Sequence, residues 1–284
     1  MQTVLSGAKK QVKIDTEGRV VMIGEKINPT GRKKLAEALT QHNFDYVIEL
    51  AENQVKAGAD LLDVNVGVPG IDDVALMPEV VKLVASVVEV PLCIDSPNPK
   101  AVAAALAVAP GKPLVNSVNG EEASLSAILP LIKDRGAAVI GLTLDEGGIP
   151  PDVDARVAIA GRILERAARL GIPAEDVIID PLVLTVGADH AAGKVTLQTI
   201  ERVRREFGVS INLGASNVSF GLPDRHTINQ AFLALAIGAG ANCVITDPMK
   251  LTGIIRAADL LLGRDAYAAK YIGWFRSLPK EPAA

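Results

Sequence analysis

An apolar run ending in polar residues, followed by a helical stretch, recurs eight times in this chain. The runs are Val20-Val21-Met22-Ile23, Asp60-Leu61-Leu62-Asp63-Val64-Asn65, Pro91-Leu92-Cys93-Ile94-Asp95 and Pro113-Leu114-Val115-Asn116, then the segment 137–143. The last three are Val177-Ile178-Ile179-Asp180-Pro181, Ile211-Asn212-Leu213-Gly214 and Asn242-Cys243-Val244-Ile245-Thr246-Asp247. Continuous apolar strands are expected where helices cover a parallel sheet. Helical patterns follow at 45–57 (stopped by Gly58), 73–88, 99–108, 121–135, 152–170, 196–207 and 250–262. After the seventh run, Asp224 is placed to cap a helix whose expected buried face is Ile228, Phe232, Leu235 and Ala236. Eight strand–helix units in about 260 residues predict an α/β fold of the (β/α)8 type, the TIM barrel. No compositional break divides residues 20–284, which are expected to form one domain. Residues 1–19 read as an N-terminal extension, a small hairpin or cap pairing with 20–23.

Composition narrows the function classes. Apolar residues make up 49% of the 284, enough for a large core, but aromatics are only 3%, too few for base-stacking platforms. A formal charge of −4 argues against a nucleic-acid partner. The first 19 residues lack the apolar centre of a signal peptide, and no apolar run approaches the roughly 20 residues of a membrane span. A soluble, cytoplasmic protein with no membrane partner is expected. Cys93 and Cys243 lie in apolar runs and read as a reduced, buried pair. His42, His190 and His226 show no ligand spacing, so no metal site is expected and metallo-hydrolase chemistry is excluded.

Near the C-terminal end of nearly every run stands an acid or amide: Glu25, Asn65, Asp95, Asn116, Asp145, Asp180, Asn217 and Asp247. Each alone has an ordinary explanation, because Asp and Asn cap helices and shape turns. Their recurrence at one rim is what a barrel would gather into a site. With few cations and no Gly-rich phosphate loop, the rim suits a planar ligand rich in hydrogen-bonding edges. A pterin ring fits, since one carboxylate can accept its 2-amino and N3–H groups together. The stretch 211–223, followed by Asp224-Arg225, carries the most pointed residue, Asn217. Its amide does not titrate but donates and accepts at once.

The segments Ile23-Gly24-Glu25-Lys26-Ile27-Asn28, Leu62-Asp63-Val64-Asn65-Val66-Gly67, Cys93-Ile94-Asp95-Ser96 and Val115-Asn116-Ser117 form a consistent series. It continues through Ile140-Gly141-Leu142-Thr143, Ile179-Asp180-Pro181-Leu182, Ser216-Asn217-Val218-Ser219 and Arg225-x-x-x-Asn229-x-x-Phe232. In these segments the chain resembles the methyltetrahydrofolate-binding methyltransferases: the corrinoid/iron–sulfur protein methyltransferase, related demethylase-system enzymes and the folate domain of cobalamin-dependent methionine synthase. Lys26 departs from a common Arg, and Ala215 from a frequent Leu.

The resemblance implies that Asp95, Asn116 and Asp180 hold the pterin, with Asn65 beside them, and that Asn217 reaches the methyl-bearing N5. It places Arg225 and Glu25 near that nitrogen. It further implies methyl transfer between methyltetrahydrofolate and a corrinoid (cobalamin) carried by a separate protein, without a metal in this chain, and a homodimer. A dihydropteroate synthase is the same-fold alternative, but Ser216-Asn217-Val218 stands where that enzyme would carry Ser-Arg-Lys. A catalytically silent pterin-binding protein is the other alternative.

Overall fold

The computed structural model describes residues 1–278. The barrel domain expected over 20–284 therefore extends at its end outside the described residues. An antiparallel hairpin of β1 (Gln2–Ser6) and β2 (Gln11–Asp15) comes first. Then β3 (Val21–Ile27) leads through α1 (Lys33–Thr40) and α2 (Asp45–Lys56) to β4 (Leu61–Val64) and α3 (Asp73–Val87). The alternation continues with β5 (Leu92–Asp95), α4 (Pro99–Leu106), β6 (Leu114–Asn119), α5 (Glu122–Arg135), β7 (Ala138–Leu142), α6 (Val153–Arg169), β8 (Val177–Asp180) and α7 (Ala192–Phe207). It ends with α8 (Arg225–Ala239), β9 (Cys243–Thr246), α9 (Pro248–Leu261) and α10 (Ala269–Ser277). Strands β3 to β9 form one seven-stranded parallel sheet in the order β8-β7-β6-β5-β4-β3-β9.

Strand parity fixes where the polar side chains go. Met22, Leu62, Ile94, Val115, Val139, Ile179 and Val244 pack in the layer between sheet and helices. Their neighbours Ile23, Leu61, Cys93, Leu114, Ala138, Ile178 and Cys243 pack together on the inner face. Because the side-chain period is two, the residue two places after an inward one is also inward. Asp63, Asp95, Asn116 and Asp180 each stand two places after an inward apolar residue. The apolar inner face therefore becomes polar over one layer at the C-terminal ends.

At the opposite end the inner cluster includes Leu5, Val12 and Ile14 of the hairpin. Alternation in β1 and β2 buries these residues. The hairpin is held from outside by Ser6 and Lys112, whose backbones exchange N–H···O bonds of 3.1 and 3.0 Å. Asn242 also donates to the Asp15 carbonyl at 3.1 Å. This corrects one expectation: the extension pairs with itself, while residues 21–24 pair in parallel with β9.

Two further differences have local causes. The seventh run is no regular strand; it touches β8 and β9 only through isolated parallel bridges, Ile179 with Ile211 and Gly214 with Ile245. Its chain turns at Gly214 into a single 3-10 stretch, Ala215–Ser219, which ends the ladder. In α8 the buried face is Asn229, Phe232, Leu233, Ala236 and Ile237, whereas the expected Leu235 is 59% exposed. The expected cap is present, since the Asp224 carboxylate accepts from the Thr227 N–H.

Candidate functional site

The inner polar layer contains a hydrogen-bonded chain of acids and amides. Asn65 Nδ2 donates to Asp95 Oδ2 at 3.0 Å, and Asn28 Nδ2 approaches the same oxygen at 3.5 Å. Asn116 Nδ2 donates to Asp63 Oδ1 at 3.3 Å. Parallel register sets Asp63 beside Cys93 and Asp95 beside Asn116, so the two carboxyls face each other across adjacent strands. Burial pushes the Asp63 carboxyl well above the usual range, and the neighbouring Asp95 charge adds to this. Burial also raises Asp95, opposed by hydrogen bonds from Asn65 and Asp63. Two close buried carboxyls cannot both ionise cheaply, so the pair resists full ionisation, Asp63 the more strongly.

Asp180, 5% exposed, is held from two sides. Its Oδ1 accepts the Leu182 N–H and its Oδ2 accepts Asn212 Nδ2, both at 2.8 Å. Leu182 sits at φ 60, a left-handed conformation costly for a branched side chain. Buried Arg156 of α6 braces this turn by donating to the carbonyls of Pro181 and Leu182, each at 2.9 Å. Burial pushes the Asp180 carboxyl up to about 6, against these hydrogen bonds and the Arg156 charge.

Across the rim, β3 changes register against β4 between Gly24 and Ile27. Gln54 of α2 fills that irregularity, accepting the Lys26 N–H at 2.8 Å. A side chain at position 24 would meet Gln54 Oε1 at 2.5 Å, so the close approach requires Gly24. The shift breaks strict alternation, and consecutive Glu25 and Lys26 both line one cavity of about 590 Å³. Arg225, His226, Asp247 and Lys250 share it. Lys26 Nζ pairs with Asp247 Oδ2 at 2.5 Å, and Arg32 approaches Glu25 at 3.8 Å. Burial raises the Glu25 carboxyl, and the nearby Arg32 and Lys26 oppose this.

The expected site residues therefore fall into distinct places. Asp95 and Asn116 line a cavity of about 450 Å³ with Ser96, Ser117 and Asn119. Glu25 and Arg225 line the second cavity, Asn65 donates to Asp95, and Asp180 belongs to the same inner polar layer as Asp95 and Asn116 without lining either cavity. Asn217 lies in the 3-10 stretch, exposed, and among the described residues its side-chain amide makes no hydrogen bond. Its neighbour Ser216 accepts Arg225 Nη2 through its carbonyl at 2.8 Å, while Arg225 Nε donates to Ser219 Oγ at 3.1 Å. Arg225 thus fixes the loop that carries Asn217.

Asp145 does not join the rim. It closes the Asp145–Gly148 turn and pairs with Arg162 of α6 at 2.6 Å. Asp247 caps α9 as well as pairing with Lys26. Asp63, Asn28 and Asn212 were given no role by the sequence reading. A carboxylate inside an apolar strand, and an amide between Ile211 and Leu213, were the available signals, because buried polar groups require partners. Among the described residues, no three His, Cys, Asp or Glu side chains are grouped to hold a metal ion. Cys93 and Cys243 are free and buried. No described helix is long and apolar enough to cross a membrane.

Comparison with known proteins adds an independent line. The family model described as "Pterin binding enzyme" matches residues 24–247. The chain is 32% identical over 265 residues to a methylcorrinoid:tetrahydrofolate methyltransferase of Eubacterium limosum, covering 90% of this chain and 96% of that protein. It is 32% identical over 250 residues to methionine synthase of Mycobacterium leprae (strain TN), covering 84% of this chain but only 21% of that longer protein. Among solved structures, Yersinia pestis DHPS superposes with a TM-score of 0.72 at 17% identity, covering 93% of this chain and 100% of the other. A Xanthomonas albilineans dihydropteroate synthase complex gives 0.70 at 21% identity, covering 91% of this chain and 98% of that one. At such identities these structures establish the fold alone.

Proposed function

The chain belongs to the pterin-binding enzyme family, and from that premise we propose that it moves the N5-methyl group between methyltetrahydrofolate and the corrinoid of a separate corrinoid protein. The observation that carries this reading is the convergence of Asp95, Asn116 and Asp180 in one inward-facing polar layer, with the Asn217 amide, unbonded among the described residues, on the loop above. The similarity over nearly the whole length of the Eubacterium limosum enzyme supports it.

In this proposal Asp180 accepts paired N–H donors of the pterin, while Asp95 and Asn116, backed by Asn65 and Asp63, take its remaining edge. Ionised Asp95 is acceptor-only, whereas the Asn116 amide can both donate and accept, matching a ring with alternating donors and acceptors. The partner's reduced corrinoid would supply the methyl acceptor. What this chain contributes is orientation and stabilisation of N5 as its bond to methyl breaks. Asn217, free to rotate, donates to the nitrogen lone pair that develops; a placed donor of this kind is worth on the order of 10²–10³ in rate. Arg225 holds the Asn217 loop, and Glu25, its carboxyl raised by burial, supplies a proton-holding group beside it. The dihydropteroate synthase alternative is disfavoured because no cation follows Ser216 in this loop.

The proposal takes residues 20–284 as one closed eight-stranded barrel domain and 1–19 as its cap. Support comes from the seventh segment, which bonds both sheet edges: Asn212 N to Ile179 O at 2.9 Å, and Ile245 N to Leu213 O at 3.0 Å. It also takes the protein as a cytoplasmic homodimer. Exposed Leu235, Leu261, Tyr267, Ile272 and Phe275 on and between α8, α9 and α10 supply apolar surface for the contact. Light scattering at micromolar concentration should give twice the chain mass; a monomer mass discards the dimer.

The functional assay is direct. Purified protein, methyltetrahydrofolate and Co(I) cobalamin should give methylcobalamin, followed by its visible spectrum, with turnover dependent on the protein. Tight folate binding without turnover, with free cobalamin or with a corrinoid protein, would instead indicate a silent pterin-binding protein.

A further inference from the structure

Asn212 is fully buried, yet it is a polar residue inside an apolar run. Its flanking residues Ile211 and Leu213 pack outward against the helices, so alternation turns Asn212 inward. Its backbone N–H donates to Ile179 O at 2.9 Å, while Ile179 N–H donates to Ser210 O at 3.0 Å. The side chain therefore starts from a backbone pinned beside β8. From there Nδ2 reaches Asp180 Oδ2 at 2.8 Å. Oδ1 has no partner among the described residues. The amide orientation follows from chemistry, since an ionised carboxylate accepts and cannot donate. One buried acceptor is left unsatisfied so that the other end can hold Asp180, and such an orphan costs free energy.

We propose that Asn212 is a positioning residue for pterin recognition: with the Leu182 N–H it clamps one lone pair on each Asp180 oxygen and turns the remaining pair toward the ligand's N3–H and 2-amino group. The inference rests on the reading of Asp180 as a pterin ligand. The clamp also sets the charge of Asp180. Among the described residues the ionisable groups acting on this carboxyl are Arg156 from α6 and the Cys243 thiol from β9, while Thr143, just after β7, is neutral and bonds the Asp180 backbone. Arg156 spends its donors on backbone carbonyls, which leaves Asn212 as the side chain bonded directly to the carboxylate.

The sign of the effect follows. A donor to the ionised form favours it, so removing Asn212 Nδ2 moves Asp180 protonation to higher pH. Protonated Asp180 loses one acceptor oxygen, and pterin affinity falls with it. Calorimetric binding of methyltetrahydrofolate between pH 5 and 8, applied to wild type, Asn212→Leu and Asp180→Asn, tests this. Asn212→Leu should bind about ten- to hundredfold more weakly near neutrality, the range for one hydrogen bond to a charged group. Its acid-side loss of affinity should lie at higher pH than in wild type, while Asp180→Asn should bind weakly at every pH. A merely structural role would weaken binding or lower Tm without moving the acid limb. Should Asn212→Leu not fold, Asn212→Ala removes the same donor with less steric demand and is read identically. An unmoved acid limb overturns the role of Asn212 while leaving Asp180 as a ligand. Wild-type affinity in Asp180→Asn overturns both readings together.

Discussion

Replacing Asn217 with Ala should lower kcat for methyl transfer at least about 100-fold and leave methyltetrahydrofolate affinity almost unchanged. The proposed bond to N5 strengthens only as the methyl group leaves, and an interaction of that kind acts on kcat rather than on binding. An Asx-turn role would predict lost stability instead, but the Asn217 side chain makes no hydrogen bond among the described residues, so its truncation should leave Tm close to wild type. Asn217→Asp is the informative companion. It keeps the shape and donates only when protonated, so its activity should rise as pH falls. Once substrate covers this exposed side chain, the apparent pKa should lie well above the roughly 3.9 of a free Asp. Single-turnover transfer to Co(I) cobalamin across pH reads both variants. Wild-type rates in Asn217→Ala would end the catalytic assignment.

Asp180→Ala should act on the other side of the kinetic ledger. Two hydrogen bonds to a charged acceptor, at about 1.5–3 kcal/mol each, correspond to at least about a hundredfold rise in KM, with kcat nearly unchanged. Asn116→Ala should follow the same pattern with a smaller rise, because its lost contact to the ligand is a neutral amide. In wild type, the Asp180 carboxyl lies near 6, so pterin affinity should decline as pH falls through that value. Steady-state kinetics reads KM and kcat, and calorimetry reads affinity across pH. If either variant binds methyltetrahydrofolate as tightly as wild type, the pterin assignment of that residue is wrong.

Much of this site is legible in the sequence. Asp95, Asn116 and Asp180 close apolar runs, and strand parity alone sends them to the same face as Cys93, Leu114 and Ile178. Parity would have found Asn212 as well, since it stands between two outward residues. Glu25 and Lys26 could not be placed this way. Their shared direction depends on a register shift that Gln54, 28 residues away in sequence from Lys26, supports from α2. Asp145 shows the converse, for it follows the end of β7, where the chain has entered a turn and alternation no longer holds.

By itself, then, the sequence determined the parallel strand–helix alternation, the inward direction of the strand-end acids and the family, because periodicity and local spacing are properties of consecutive residues. Tertiary structure decided what those acids do to one another. Asp63 and Asp95 belong to different strands, and only the pairing of β4 with β5 brings the two buried carboxyls close enough to oppose each other's ionisation. Asp180 draws its two hydrogen bonds from Leu182 and Asn212, one local and one 32 residues distant. Ionisation and hydrogen bonding depend on distances of a few ångströms between strands, and those distances exist only once the sheet has been assembled.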